Sequence, residues 1–353
     1  MAVSLVLLGD LMLGREVDYA LGKVGVRHVW GNFLPLLSGG QSEHQVVAAN
    51  LEVAITDGHD EIEKPEKGLN FKMSPAHASV LRVAAVNYVS LSNTHTMDFQ
   101  LTGLKETQDV LTLEGIGHSG AGFKKEAMMP AHVKKAGVEF AFFSFSDQYE
   151  EWAATDDKPG INVVNLSDYN KEELKKHFID ARRRGANFIV VYANWGPKQC
   201  WWPSEAIVQL AHSFIECGAD VVFGIGTHHI QGIEIHDDRP IIYGAGSFIH
   251  DYDMDLAFRN DLGFMYTIKI VDKKLVGLEL SASKIEKVKQ EAGEIPPVVS
   301  KVMKATDRDL ARVTDKMRSL CRFFGTKMEN TADGLRIPLD WAAPPNPRPG
   351  PTK

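Results

Sequence analysis

The feature that most constrains the fold is a recurring unit: a short apolar, β-branched run that stops at a polar residue able to hold a metal or carry a proton. Val3–Leu8 runs into Gly9-Asp10, Gln45–Ala49 into Asn50-Leu51-Glu52, and Asn87–Leu91 into Ser92-Asn93 with His95 close behind. Asn187–Tyr192 runs into Asn194-Trp195-Gly196, and Ala219–Phe223 into a glycine-rich turn ending in His228-His229. Between some of them lie stretches with apolar residues at helical spacing, Lys171–Arg184 and Ser204–Cys217. The second opens on Pro203-Ser204-Glu205 and closes on Gly218, a helix start and a helix stop. This alternation predicts an α/β domain with mixed or parallel sheets. Further strands are expected at Val138–Phe145, Pro240–Tyr243, Gly263–Ile270 and Gly334–Leu339, and one or two helices over Val298–Phe324.

Sites in open α/β sheets form outside the carboxyl ends of the strands. A lone Asp after Gly is as readily a turn or cap residue. Five strand ends carrying Asp10, Glu52, Asn93 with His95, Asn194, and His228 with His229 point instead to a gathered site. Oxygen and nitrogen donors of this kind suit a hard or borderline metal ion, or an acid–base pair.

Composition narrows the partners. The formal net charge is -7 over 353 residues, which disfavours nucleic acid or an anionic membrane as the main partner. The three cysteines, Cys200, Cys217 and Cys321, are scattered. They offer no zinc-ribbon spacing and no disulfide framework, and free thiols fit a reducing compartment. The first ten residues lack a basic segment and read as a strand, not a signal peptide. With no apolar run of about 18 residues, the expectation is a cytoplasmic protein. Residues 1–341 are expected to form one domain, and residues 342–353, proline-rich from Pro344, a disordered tail.

The local sequences carry a family resemblance. Gly9-Asp10-Leu11-Met12-Leu13-Gly14-Arg15, Asn50-Leu51-Glu52 and Ser92-Asn93-Thr94-His95-Thr96-Met97-Asp98-Phe99 follow one another in order. Then come Asn194-Trp195-Gly196, Gly224-Ile225-Gly226-Thr227-His228, Gln231-Gly232-Ile233-Glu234 and Pro240-Ile241-Ile242-Tyr243. In this order they resemble the motifs of the CapA family of poly-γ-glutamate capsule-synthesis proteins, within the calcineurin-like metallophosphoesterase superfamily. The resemblance runs from about Val3 to Leu339. It implies a four-layer αββα sandwich with two central mixed sheets.

For the site, the resemblance implies metal ligands at Asp10, Glu52 (bridging), Asn93 and His228, with His95 as proton donor and Asp98 holding its ring. Four positions depart from the family pattern: Thr94, Asn194, Ile225 and Ser247. Asn194 and Ile225 stand where the family has imidazoles. Ile225 cannot ligate, and the amide oxygen of Asn194 is a weaker ligand than imidazole for a transition metal. The resemblance therefore implies one divalent ion (Mn, Zn or Fe) rather than a full pair, and metal-free use of Asp10 and His228 is also open.

Three functions follow as expectations. The first is a one-metal hydrolase acting on a γ-glutamyl polymer or a phosphoester. The second is a metal-independent acid–base enzyme on a peptide, such as an epimerase, using Asp10 and His228. The third is a non-catalytic partner of a polymer synthase. Arg15 either contacts an anionic substrate or pairs with Glu16 or Asp18. Trp195 is a candidate for substrate binding and, with Trp201 and Trp202, for an aromatic cluster. His229 and Cys200 read as structural, and Arg182-Arg183-Arg184 as a solvated helix end.

Overall fold

In the computed structural model, residues 2–39, 42–62, 68–289 and 298–339 are described. The expected tail, 342–353, lies outside the described residues. The strand-ending runs become strands of two mixed sheets. The first has the order Glu329–Thr331, Gly334–Pro338, Lys274–Lys289, Leu262–Val271, Ala2–Leu11, Gln45–Leu51, Val86–Ser90, Gly117–Ser119. Ser247–Ile249 adds parallel to the end of Ala2–Leu11, and Val298–Lys304 adds antiparallel to Lys274–Lys289. The second sheet has the order Ile233–His236, Arg239–Ile242, Val221–Ile225, Phe188–Asn194, Val138–Ser146, Ala131–Lys135.

Side-chain alternation sorts these strands into layers. On Ala2–Leu11, Leu5 and Leu7 face the second sheet, while Val6 and Leu8 face an outer layer. On Phe188–Asn194, Phe188, Val190 and Tyr192 join the same central core, and Ile189, Val191 and Ala193 face the helices Lys171–Arg183 and Glu205–Cys217. The result is helix, sheet, sheet, helix: the expected αββα sandwich. The central core runs in sequence from Val3 to Leu339. The helix Asp307–Arg322 feeds Val313, Met317, Leu320 and Cys321 into it.

Local signals explain the helix ends. Ser204 accepts from the Ile207 amide at 3.3 Å, and Gly218 caps the far end at a left-handed φ of 117°, a conformation glycine adopts without steric cost. Two expectations are corrected. Val298–Lys304 is a strand, not a helix, because its β-branched residues complete the ladder beside Lys274–Lys289. Arg182 is not a solvated helix end. It turns inward to pair with the fully buried Asp220, which also accepts from the Ile189 amide at 2.7 Å.

The register places the polar strand ends side by side. Asp10 aligns with Asn50 on one flank and Ser247 on the other, Asn50 aligns with Ser90, and Asn194 aligns with Ile225. Glycines let these ends approach: a Cβ on Gly9 would lie 1.8 Å from the Gly246 carbonyl oxygen, and one on Gly224 2.1 Å from that of Tyr243.

Candidate active site

Asp10 and Glu52, 1% and 0% exposed, are buried carboxylates at adjacent strand ends. The His228 ring reaches them from the turn after Val221–Ile225, its backbone at a left-handed φ of 61°. His228 Nδ1 lies 3.0 Å from Asp10 Oδ2 and 3.5 Å from Glu52 Oε2. One ligand-type atom from each of the three residues lies within 4.8 Å of the others. Burial alone would lower the His228 pKa, but the charges of Glu52 and Asp10 outweigh it and raise the ring above the ordinary histidine value.

Asp10 is oriented from behind. Its Oδ1 accepts from Asn50 Nδ2 at 2.9 Å and from the Gly226 amide at 3.4 Å. Asn50 Oδ1 in turn accepts from Asn93 Nδ2 at 3.0 Å. Asn93 is thus a brace. Its Nδ2 also donates to the Leu51 carbonyl at 2.8 Å, and its Oδ1 accepts from the His95 amide at 3.0 Å, while the Thr96 hydroxyl donates to the Leu91 carbonyl.

His95 and Asp98 form a pair, Nδ1 donating to Oδ2 at 2.7 Å. The Asp98 oxygen also accepts from the Phe71 amide at 2.6 Å, and the Phe71 ring stacks on His95 at 4.1 Å between centres. With Nδ1 committed to a carboxylate, proton traffic at His95 passes through Nε2. Asn194 is 1% exposed and packs against Gly226, and its Nδ2 is buried with no hydrogen-bond partner among the described residues.

Two expectations fail on geometry. Trp195 does not reach the site. One residue past Asn194, it points to the opposite face, where it is 2% exposed in the helix-side core and donates to the Tyr243 carbonyl at 2.7 Å. Among the described residues no tryptophan cluster forms around it, since Trp201 packs on Phe258 and Trp202 is exposed. Arg15 pairs with neither Glu16 nor Asp18: its Nε lies 3.5 Å from the buried Asp251, and its guanidinium sits 5.8 Å from the Phe71 ring centre. Asp18 is held instead by His77, at 2.7 Å. His229 is structural as expected, with its ring nitrogens 2.8 Å and 2.9 Å from the carbonyls of Thr227 and Cys200.

The structure adds residues that sequence reading passed over. Ser247–Ile249 is another strand ending in polar residues: His250, Asp251 and Tyr252. The Tyr252 ring meets His228 edge-on at 5.4 Å and Phe71 at 5.8 Å. Its hydroxyl is buried with no hydrogen-bond partner among the described residues, and burial together with Glu52 and Asp10 pushes its pKa up. Burial pushes His250 down to about 4, so it is neutral. The strand-end rule that found Asp10 would have found these residues; the shortness of the strand hid them. Beside them opens a groove of about 550 Å³ with Tyr252 and His250 in its wall and balanced charge around it, Arg259, Lys284 and Lys287 against Asp261, Glu286 and Asp309.

No helix among the described residues is long and apolar enough to cross a membrane. Comparison with known proteins agrees with the motif order. The chain is 25% identical over 384 residues to a "probable polyglutamine synthesis accessory protein" of Mycobacterium tuberculosis, covering 94% of this chain and 95% of the relative. It is 24% identical to the capsule biosynthesis protein CapA of Bacillus anthracis over 252 residues, 70% of this chain and 60% of that protein. It is 25% identical to the PGA biosynthesis protein CapA of Bacillus subtilis over 249 residues, 69% and 62%. The description of the bacterial capsule synthesis protein PGA_cap family matches residues 4–252, a span that holds every member of the Asp10, Glu52, His95 and His228 constellation, and the chain belongs to that family.

Proposed function

We propose that this protein acts in poly-γ-glutamate metabolism as a hydrolase of γ-glutamyl polymer, with a single divalent ion held by Asp10, Glu52 and His228. The observation that carries the reading is the spacing of those three groups. A tetrahedral ion with bonds of ~2.0–2.1 Å sets its ligand atoms ~3.3 Å apart, and His228 Nδ1 stands 3.0 Å and 3.5 Å from the two carboxylates. Two buried acids beside one imidazole also favour a cation. Asn194 and Ile225 leave no second imidazole pair, so one ion suffices for the donors present. Such an ion, when bound, supplies Lewis acidity and a lowered pKa for water.

The chain's own residues do the rest. Asn50 and the Gly226 amide fix the face that Asp10 presents. His95, oriented by Asp98 and Phe71, passes a proton through Nε2 to the departing amine. The Tyr252 hydroxyl and Asn194 Nδ2, unpartnered among the described residues, are donors for a substrate carbonyl. Arg15 and Lys287 would trade their present partners, Asp251 at 3.5 Å and Asp253 at 3.6 Å, for the polymer's free carboxylates.

The contact of His228 Nδ1 with both carboxylates also favours a second reading, a metal-independent acid–base enzyme. One experiment separates them. Metal content by mass spectrometry and cleavage of γ-glutamyl oligomers are measured for wild type and Asp10→Asn, with and without EDTA. The hydrolase reading expects Asp10→Asn to carry about one equivalent less metal and EDTA to stop cleavage. Full turnover in EDTA replaces it with the acid–base reading. Inactivity of metal-loaded wild type on γ-glutamyl and phosphoester substrates alike would remove the hydrolase.

A further inference from the structure

The hairpin Ile233–His236 with Arg239–Ile242 forms one edge of the second sheet. Ile233 and Ile235 pack on the central core, so alternation turns Glu234 and His236 to the other face. There they meet His212, from the helix Glu205–Cys217. His212 Nε2 lies 3.0 Å from both Glu234 oxygens, and His236 Nδ1 lies 3.9 Å from Glu234 Oε1. The two imidazoles stack face to face, 3.7 Å between centres and 7° from parallel. One donor atom from each of the three residues lies within 4.8 Å of the others.

We propose that His212, Glu234 and His236 form a second metal site, taking one transition-metal dication of the zinc class and pinning the helix to the hairpin. Two imidazoles and a carboxylate are three protein ligands of the type zinc accepts, with a fourth position for water. Magnesium and calcium prefer all-oxygen sites and are not expected. The donor separations of 3.0 Å and 3.9 Å bracket the ~3.3 Å edge of a tetrahedral ion. The two rings lie face to face, so binding one dication through both requires one ring to turn about its χ angles and aim its nitrogen at the ion, a movement their partial exposure allows. The carboxylate is already held from behind. Tyr243 Oη donates to Glu234 Oε2 at 2.6 Å, the kind of support that orients a ligating carboxylate. The competing acid on the helix, Glu216, is taken by Lys171. Side-chain exposures of 28%, 16% and 23% for His212, Glu234 and His236 leave an ion a way in. The site shares no residue with the Asp10 cluster and lies on the helix side of the second sheet.

The test uses the full chain carrying His228→Ala, so that the Asp10 cluster does not contribute. Zinc content after desalting and the melting temperature with and without Zn²⁺ are measured. The expected result is about one retained equivalent and a zinc-dependent rise in Tm. Adding His236→Ala should abolish both while leaving the circular dichroism unchanged. Cobalt should give a tetrahedral visible spectrum in His228→Ala and lose it with His236→Ala. No retained zinc in His228→Ala would overturn the proposal, and so would retention unchanged by His212→Ala with His236→Ala. Loss of metal from His228→Ala with no effect of His236→Ala would leave only the Asp10 centre.

Discussion

His95 donates through Nδ1 to Asp98, 2.7 Å away and three residues later, and the same Asp98 oxygen receives the Phe71 amide. One buried oxygen therefore orients the candidate acid and anchors the segment that stacks on it. In Asp98→Asn the amide oxygen still accepts both bonds, but the charge that supports a protonated His95 is gone. Cleavage should fall roughly 10²-fold, while a denaturant melt should show a loss of only about 1 kcal/mol. Asp98→Ala leaves the Phe71 amide without its acceptor and should cost about 1–3 kcal/mol. Equal stability loss in the two variants would mean that the lost charge, not the lost acceptor, accounts for the cost.

The raised pKa of His228 makes a signed prediction. The folded ring binds its proton more tightly than the unfolded one, whose value is near 6.5. In EDTA, the stabilisation from this group is fully present below that value and is lost as pH rises through the raised folded value. Urea melts at about pH 6 and about pH 9 should differ by this amount in wild type, and the difference should shrink in His228→Gln. Metal affinity should run the other way, weakening as pH falls into the same window, because the ion needs the neutral ring.

Asn194 separates function from stability. Its buried Nδ2 has no protein partner among the described residues, so Asn194→Leu removes an unsatisfied donor rather than a bond. Stability should change by less than about 1 kcal/mol, while cleavage should drop if that amide holds substrate. A large destabilisation with unchanged activity would make it a packing residue.

Arg182 and Asp220 tie the helix Lys171–Arg183 to the strand that delivers Asn194. Burial pushes the Asp220 pKa up, and Arg182 opposes that shift. Arg182→Leu leaves a buried acid without its main counter-charge. A loss of about 3–5 kcal/mol is expected, and the double change with Asp220→Asn should recover part of it. A double variant no more stable than the single would show that shape, not charge, matters there.

The sequence made legible whatever depends on strand periodicity. Asp10, Glu52 and His228 converge because each follows an apolar run, and the two-sheet layering is written in the alternation of Leu5, Val6, Leu7 and Leu8. The same alternation, followed one residue further, would have turned Trp195 away from the site. Pairings across the chain left no such trace. The Arg15–Asp251 contact joins residues far apart in sequence, and Phe71 reaches His95 from a segment with no strong pattern. Val298–Lys304 read as helix because nothing local distinguishes an edge strand that needs its neighbour to exist. His212, Glu234 and His236 meet only after a helix has packed on a hairpin.

The strand Ala2–Leu11 has a consequence for how the molecule comes into being. It precedes the other described elements in the chain, yet one flank is completed only by Ser247–Ile249 and Leu262–Val271. A ribosome-bound chain must therefore carry one of its most apolar strands with an open edge until most of the polypeptide has emerged, a state prone to wrong pairing. The family match ends at residue 252, before Leu262–Val271 begins. A recombinant chain cut at that point would retain Asp10, Glu52, His95 and His228 and still lack the strand that covers their support. Such fragments are expected in inclusion bodies, and chaperone dependence should ease only once about the first 270 residues are available.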